Sequence, residues 1–340
     1  ELITDDMIYE RVLGCLCGLL SPSSNADGLD LVASFHNEDG LSTIFRCVRQ
    51  YQSQRLLLEN AFELLFYLSC RVRVVLTSIV GMSSTIQNGV GARAARSIEN
   101  QFIQEENVFV LLGTINQYIE YENASELICQ RGLGILVNIH AFSMQQKQQE
   151  QQQDVFASDG GIKLVLHVMR RHGLAVAIQE YGVGLLASIL KETMMTMPTT
   201  ISDALSSSSM TNKKKNANIA VSNEFINEEG ISTVLAAMMI HPDHGAIQVH
   251  GCDVLIYLLK VNNGNNKYKQ FILDETNAVR VINDARSYHK TNKGVQSRAS
   301  VLLKTLLSSS SSPSISTAAT TATSILSSHA HQAAASLFAS

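Results

Sequence analysis

Apolar residues fall on a helical period in six separate stretches of this chain: IYERVLGCLCGLL, LLENAFELLFYLS, ICQRGLGILVNIH, IQEYGVGLLASIL, IQVHGCDVLIYLL and VQSRASVLLKTLL. They superimpose on one anchor position, filled in turn by Val12, Ala61, Gly132, Gly182, Gly251 and Ala299. Four residues later stands leucine in every copy: Leu16, Leu65, Leu136, Leu186, Leu255 and Leu303. Offsets −4, +3 and +7 are apolar as well, from Ile8, Cys15 and Leu19 in the first copy to Val295, Leu302 and Leu306 in the last. Residues so spaced share one face of an α-helix, so the pattern predicts six amphipathic helices. The anchor is Gly or Ala in five copies, which implies that a neighbouring helix approaches closely there. An interior glycine costs about 1 kcal/mol against alanine. Burying four larger apolar side chains contributes on the order of 6–10 kcal/mol before chain entropy, so the helix is favoured.

A second element precedes each of the last five helices: DGLSTIFRCV, NVFVLLGTI, GGIKLVLHVM, EGISTVLAAM and NAVRVINDA. Their turn residues Gly40, Asn107, Gly161, Gly230 and Asn277 lie 21, 25, 21, 21 and 22 residues before the anchors. A still shorter helix with an inward phenylalanine is expected ahead of each, at Phe35, Phe102, Phe156, Phe225 and, one residue out of step, Phe271. Each unit then reads as short helix, turn, medium helix, loop and long helix. The stretch ASDGGIKLVLHVMRRHGLAVAIQEYGVGLLASIL resembles an armadillo repeat of the β-catenin and importin α kind. That resemblance implies an all-α, right-handed α-solenoid over residues 1–307, with about five repeats and a first copy that keeps only its third helix. Inserts are expected at 83–100, 143–153 and 192–222, the last of them disordered, and a low-complexity disordered tail at 308–340.

The helical setting decides one motif. Gly182, Gly184 and Ala187 carry the G-x-G-x-x-A spacing of dinucleotide-binding turns, but such a fingerprint sits between a strand and a helix. Here it lies inside a helix, so no cofactor is expected. The same spacing in GVGARAAR (Gly89, Gly91, Ala94) falls in an insert and reads as a connector, with Arg93 and Arg96 as an anion cup the weaker alternative.

Composition narrows the classes. The chain has 340 residues, 16% charged, with a net charge of −4, which argues against a nucleic-acid partner. Six cysteines stand in apolar segments and read as reduced thiols of an intracellular protein rather than a disulfide frame. Cys15-x-Cys17 has no second ligand pair, so no metal is expected. The apolar region 56–82 is interrupted by Glu59, Glu63, Arg71 and Arg73, so neither a membrane span nor a membrane partner is expected, and the sequon at Asn123 goes unglycosylated. Lys213, Lys214 and Lys215 leave a nuclear location open beside a cytoplasmic one. No metalloprotease, nucleophile-elbow or Cys/His signature is present, and His241-Pro242-Asp243-His244 reads as turn chemistry.

Positions −1, +2 and +6 share the other helix face, which in armadillo proteins lines the partner-binding groove. They give Arg11, Gly14, Gly18; Asn60, Glu63, Tyr67; Arg131, Gly134, Asn138; Tyr181, Gly184, Ser188; His250, Asp253, Tyr257; and Arg298, Val301, Thr305. The resemblance implies a protein partner bound as an extended segment, with Asn138 at the family's peptide-holding asparagine. Arg11, Arg131 and Arg298 are candidates to pair with acidic side chains of that partner, since a guanidinium grips a carboxylate at two points. Import-adaptor tryptophans are absent at +2. The expected function is a non-catalytic interaction scaffold. The alternatives are a regulatory arm of a larger kinase or ubiquitin ligase and, behind it, a nuclear transport adaptor.

Overall fold

A computed structural model describes residues 5–20, 28–79, 89–120, 125–147, 160–195, 210–261 and 266–308. Among them the chain is all-α, with fifteen helices and no strand. Two compact units divide it, Glu1–Leu164 and Val165–Ser340. The first holds α1 (Asp5–Leu20), α2 (Gly28–Asn37), α3 (Gly40–Gln50), α4 (Arg55–Ile79), α5 (Val90–Phe102), α6 (Glu105–Glu120) and α7 (Glu126–Lys147). Helix α8 (Gly161–Arg171) begins at the division. The second unit continues with α9 (Val176–Met195), α10 (Met210–Asn227), α11 (Gly230–Ile240), α12 (Gly245–Val261), α13 (Asn266–Asp274), α14 (Ala278–Tyr288) and α15 (Lys293–Leu307).

All six periodic stretches lie on helices: α1, α4, α7, α9, α12 and α15. In the first unit α4 packs on both α1 and α7; in the second α12 packs on both α9 and α15. Medium helices cover the long ones, α3 on α4, α6 on α7, α11 on α12 and α14 on α15. The small anchors mark these crossings. A Cβ on Gly132 would lie 2.6 Å from Ile115 of α6, one on Gly182 2.6 Å from Met169 of α8, and one on Gly251 2.5 Å from Met238 of α11. The expected close approach is therefore made by the medium helix that immediately precedes each long one.

Glutamines fasten the same crossing in the second unit. Gln179, Gln248 and Gln296 each stand three residues before the anchor. The Gln179 amide donates to Met169 O at 2.9 Å and His172 O at 3.0 Å. That of Gln248 reaches Met238 O at 2.8 Å and His241 O at 2.9 Å, and that of Gln296 reaches Arg286 O at 2.6 Å and His289 O at 3.0 Å. Each side chain thus bridges two carbonyls at the end of a medium helix, the second of which also accepts a backbone amide from the turn: Ala175, His244 and Asn292 in order. Histidines link consecutive turns: His241 Nε2 meets Gly173 O at 2.9 Å, and His289 Nε2 meets Pro242 O at 2.9 Å. A carbonyl only accepts, so the Nε2 proton is on the ring in both.

The turns before α3, α8 and α11 share one geometry. Asp39 (φ 51), Gly160 (φ 72) and Glu229 (φ 58) occupy the left-handed region just before Gly40, Gly161 and Gly230. A Cβ on Gly40 would meet the Phe35 ring at 2.6 Å, and one on Gly230 would meet Phe225 O at 2.5 Å, so these two positions must be glycine. Left-handed backbone strains a non-glycine residue, and Glu229→Gly is expected to stabilise the fold by about 0.5–1 kcal/mol. Urea unfolding of the variant beside the unmodified chain measures this, and a loss of stability would contradict it.

Several expectations are corrected. Residues 83–100 are not a connector throughout, because α5 starts at Val90 and buries Ala92, Ala94, Ala95 and Ile98 within the first unit. Residues 210–222 belong to α10, whose Val221 and Phe225 are buried; 196–209 lie outside the described residues. In keeping with a helical extension at 143–153, helix α7 continues to Lys147, and 148–153 lie outside the described residues. Phe35, Phe102 and Phe225 are buried as expected, but Phe271 is half-buried beneath Lys267, and Tyr268 and Ile272 turn inward instead. Phe156 and the tail beyond 308 fall outside the described residues.

Candidate functional site

The polar row on the long helices is a seam between neighbours. In each of four helix pairings, the −1 residue of the later helix abuts the +2 residue of the earlier one. Asn60 faces Gly14, where a Cβ would stand 3.6 Å from Asn60 Nδ2; His250 faces Gly184 at 3.7 Å by the same measure. Arg131 Nη2 binds Glu63 Oε1 at 3.3 Å, and Arg298 Nε binds Asp253 Oδ1 at 2.7 Å. Other contacts keep the same direction, such as Glu180 with His244 and Val249 with Gly294, so the paired helices run parallel.

Several of the expected groove residues are engaged within the chain at this seam. Arg131 and Arg298 already hold a carboxylate of their own chain, so neither offers an unpaired charge to an acidic partner. Arg131 also lies over the Phe66 and Tyr67 rings, at 4.9 and 5.7 Å from their centroids, which fixes its plane. Asn138 is buried: its Nδ2 donates to Ser69 Oγ at 2.9 Å, and its Oδ1 accepts from Arg73 Nη1 at 3.0 Å. It therefore ties α7 to α4. Asn60 donates to Glu10 O at 3.3 Å and performs the same service between α4 and α1. Arg11 and Ser188 remain exposed, while Tyr67, Tyr181, His250 and Tyr257 are half-buried.

An acid, a tyrosine and an arginine recur together in each unit: Glu63, Tyr67 and Arg131, then Asp253, Tyr257 and Arg298. The Tyr67 hydroxyl donates to Glu63 Oε1 at 2.8 Å. Partial burial raises both phenols above their ordinary pKa; the Glu63 hydrogen bond adds to this at Tyr67, and the Asp253 charge does so at Tyr257. Both phenols consequently stay protonated at neutral pH and present a hydrogen-bonding edge on an aromatic face.

The cysteines and histidines complete the inventory. All six thiols are free. Cys17 donates to Asn60 O at 3.2 Å, and burial, with Glu63 nearby, pushes it up to about 12. Burial does the same to Cys129 and Cys252, each raised to about 12. Unfolded thiols ionise near pH 9.0, so the contribution of these three is whole below that pH and is lost as pH rises toward about 12. We expect urea midpoints to fall steeply above pH 9, less so in Cys252→Ala, and native alkylation at pH 8 to favour exposed Cys15; a flat alkaline profile would contradict this. His241 and His244 lie in the α11–α12 turn, the first bonded to Gly173 O and the second 3.6 Å from Glu180. Among the described residues no three His, Cys, Asp or Glu side chains are placed to hold a metal ion.

One described helix, α7, is by length and composition apolar enough to cross a membrane. It is not the 56–82 region singled out by composition, and its Ile128, Leu133, Ile135 and Leu136 are fully buried within the first unit. The sequence reasoning also passed over Gln179, Gln248 and Gln296, although a glutamine recurs at −3 in three consecutive copies. Comparison with known proteins gave no match: no family model, no curated protein and no solved structure is similar to this chain.

Proposed function

We propose that this chain is an armadillo-type, right-handed α-solenoid acting as a non-catalytic protein-interaction scaffold inside the cell. The observation that carries this reading is the seam. One contact, −1 upon +2, recurs twice in each unit with side chains that differ but complement one another, as a repeated unit stacked on copies of itself would require. A stacked array offers a long row of side chains, and its use by a partner is the step that rests on family resemblance. With Arg131 and Arg298 engaged within the chain, the partner is a protein segment held in the second unit by the Tyr257 edge, Ser188 and His250.

Small-angle scattering tests the architecture. A compact chain of this length would have a radius of gyration near ~20 Å, and the solenoid reading expects a larger value with an elongated distance distribution. Partner capture on the intact chain, repeated with Ser188→Arg/Tyr257→Ala, tests the function. Specific partners that are lost only from the variant support the reading; partners retained by both remove the groove from it.

A further inference from the structure

Residues 266–308, from α13 to the end of α15, hold eight Lys or Arg against three Asp or Glu, in a chain that has 26 against 30 overall. Residues 309–340 add no Asp or Glu. Three of the cations gather at one turn. Arg286 and Tyr288 lie in the last turn of α14, Lys290 follows, and Lys293 opens α15. All four are exposed, Tyr288 by 64%. The register of the three cations holds Met238, Pro242 and Gly245 in the preceding copy and Met169, Gly173 and Val176 in the one before, so these charges are no part of the repeat.

The turn that carries them is firmly held. The Gln296 amide grips Arg286 O at 2.6 Å and His289 O at 3.0 Å, and His289 Nε2 donates to Pro242 O at 2.9 Å. The cationic groups themselves take no part: among the described residues, none of the three makes a hydrogen bond or an ion pair through its side chain. Lys293 even stands where it opposes folding. It adds to the positive end of α15, whose first turn has no acidic residue, while Asn292 caps that end through Gly294 N and Val295 N. Charge displayed on a fixed frame, from which the fold gains nothing, points outside the chain.

Two exposed acids border the patch: Asp284, one turn earlier on α14, and Asp243 in the neighbouring α11–α12 turn. A bilayer or a nucleic acid presents phosphates in extended arrays, which would run onto these acids. A short acidic run fits between them. We propose that the α14–α15 turn docks a short Asp- or Glu-rich segment of a protein partner, whose carboxylates meet Arg286, Lys290 and Lys293 while the Tyr288 ring packs against its backbone. No groove residue takes part, so this site stands apart from the groove reading.

The test titrates the whole chain into fluorescein-labelled hexaglutamate and follows anisotropy. Saturable binding is expected at low salt, fading above about 0.1 M, where the Debye length is about 10 Å. An exposed ion pair is worth about two- to threefold, so Arg286→Gln/Lys290→Gln/Lys293→Gln should bind about tenfold more weakly. Its melting temperature should not fall, and Arg286→Lys/Lys290→Arg/Lys293→Arg should bind as the unmodified chain does. Lys191→Gln/Lys260→Gln/Lys304→Gln removes the same charge from other exposed positions and should cost little. Absence of binding, no loss in the first variant, or equal loss in the last overturns the proposal. Tighter binding of phosphatidylserine vesicles or of polyuridylate through the same three residues overturns it too, in favour of a membrane or a nucleic acid.

Discussion

Gly182→Leu is expected to destabilise the second unit by about 3 kcal/mol, although it removes no side-chain contact. Even the first added carbon would lie 2.6 Å from both Met169 Cγ and Sδ, and the remaining leucine atoms have no room between α8 and α9. Helix propensity works the other way, since any side chain gains on glycine by up to about 1 kcal/mol. Sterics prevail because Met169 is itself fully buried and cannot swing outward. Urea titration measures the loss. Pairing the change with Met169→Ala should return part of it, so the double variant is expected to lie above the sum of the two singles. Strict additivity would mean that the two residues do not share the crossing.

Gln248→Leu should cost a similar amount, about 3 kcal/mol, for a different reason. The carbonyl of Met238 would ordinarily receive a proton from the residue four positions on, but that residue is Pro242, which has none. The Gln248 amide stands in for the missing donor at 2.8 Å, within a site that is 1% exposed. Leucine keeps the volume and leaves the Met238 carbonyl without its donor, while His241 O keeps only the His244 amide. Gln248→Glu should be worse at neutral pH, since it sets a carboxylate against two carbonyl oxygens, and should recover on acidification as the carboxyl regains a donor. Equal stability of the two variants across pH would show that Gln248 makes no such bond in solution.

The long helices were legible because one face repeats without exception: −4, 0, +3, +4 and +7 must be apolar wherever a medium helix covers them. Turns at Gly40 and Gly230 were legible too, since only glycine fits beside Phe35 and Phe225. Helix α5 was not, because its buried face is built from Ala92, Ala94 and Ala95, and alanine beside two glycines looks like a connector. In α10 the asparagine- and lysine-rich stretch before Val221 concealed a helix.

At the seam the residues were found, but the contacts they make within the chain were not. Reading along one helix, Arg131 and Arg298 look free. Their partners Glu63 and Asp253 stand 68 and 45 residues away, one long helix earlier, and the match appears only when neighbouring copies are compared side by side. There the rule is simple: glycine at +2 meets Asn60 or His250, and an acid at +2 meets arginine.

His241 and His289 give the second unit two internal reporters. Each ring holds its Nε2 proton against a carbonyl of the preceding turn, at Gly173 and at Pro242, so each proton belongs to one junction. In a nitrogen-15 spectrum the two imidazoles should appear as the same tautomer, with protons slow enough to be seen. Following the two resonances separately under denaturant would show from which end the stack frays, without a label added to the chain.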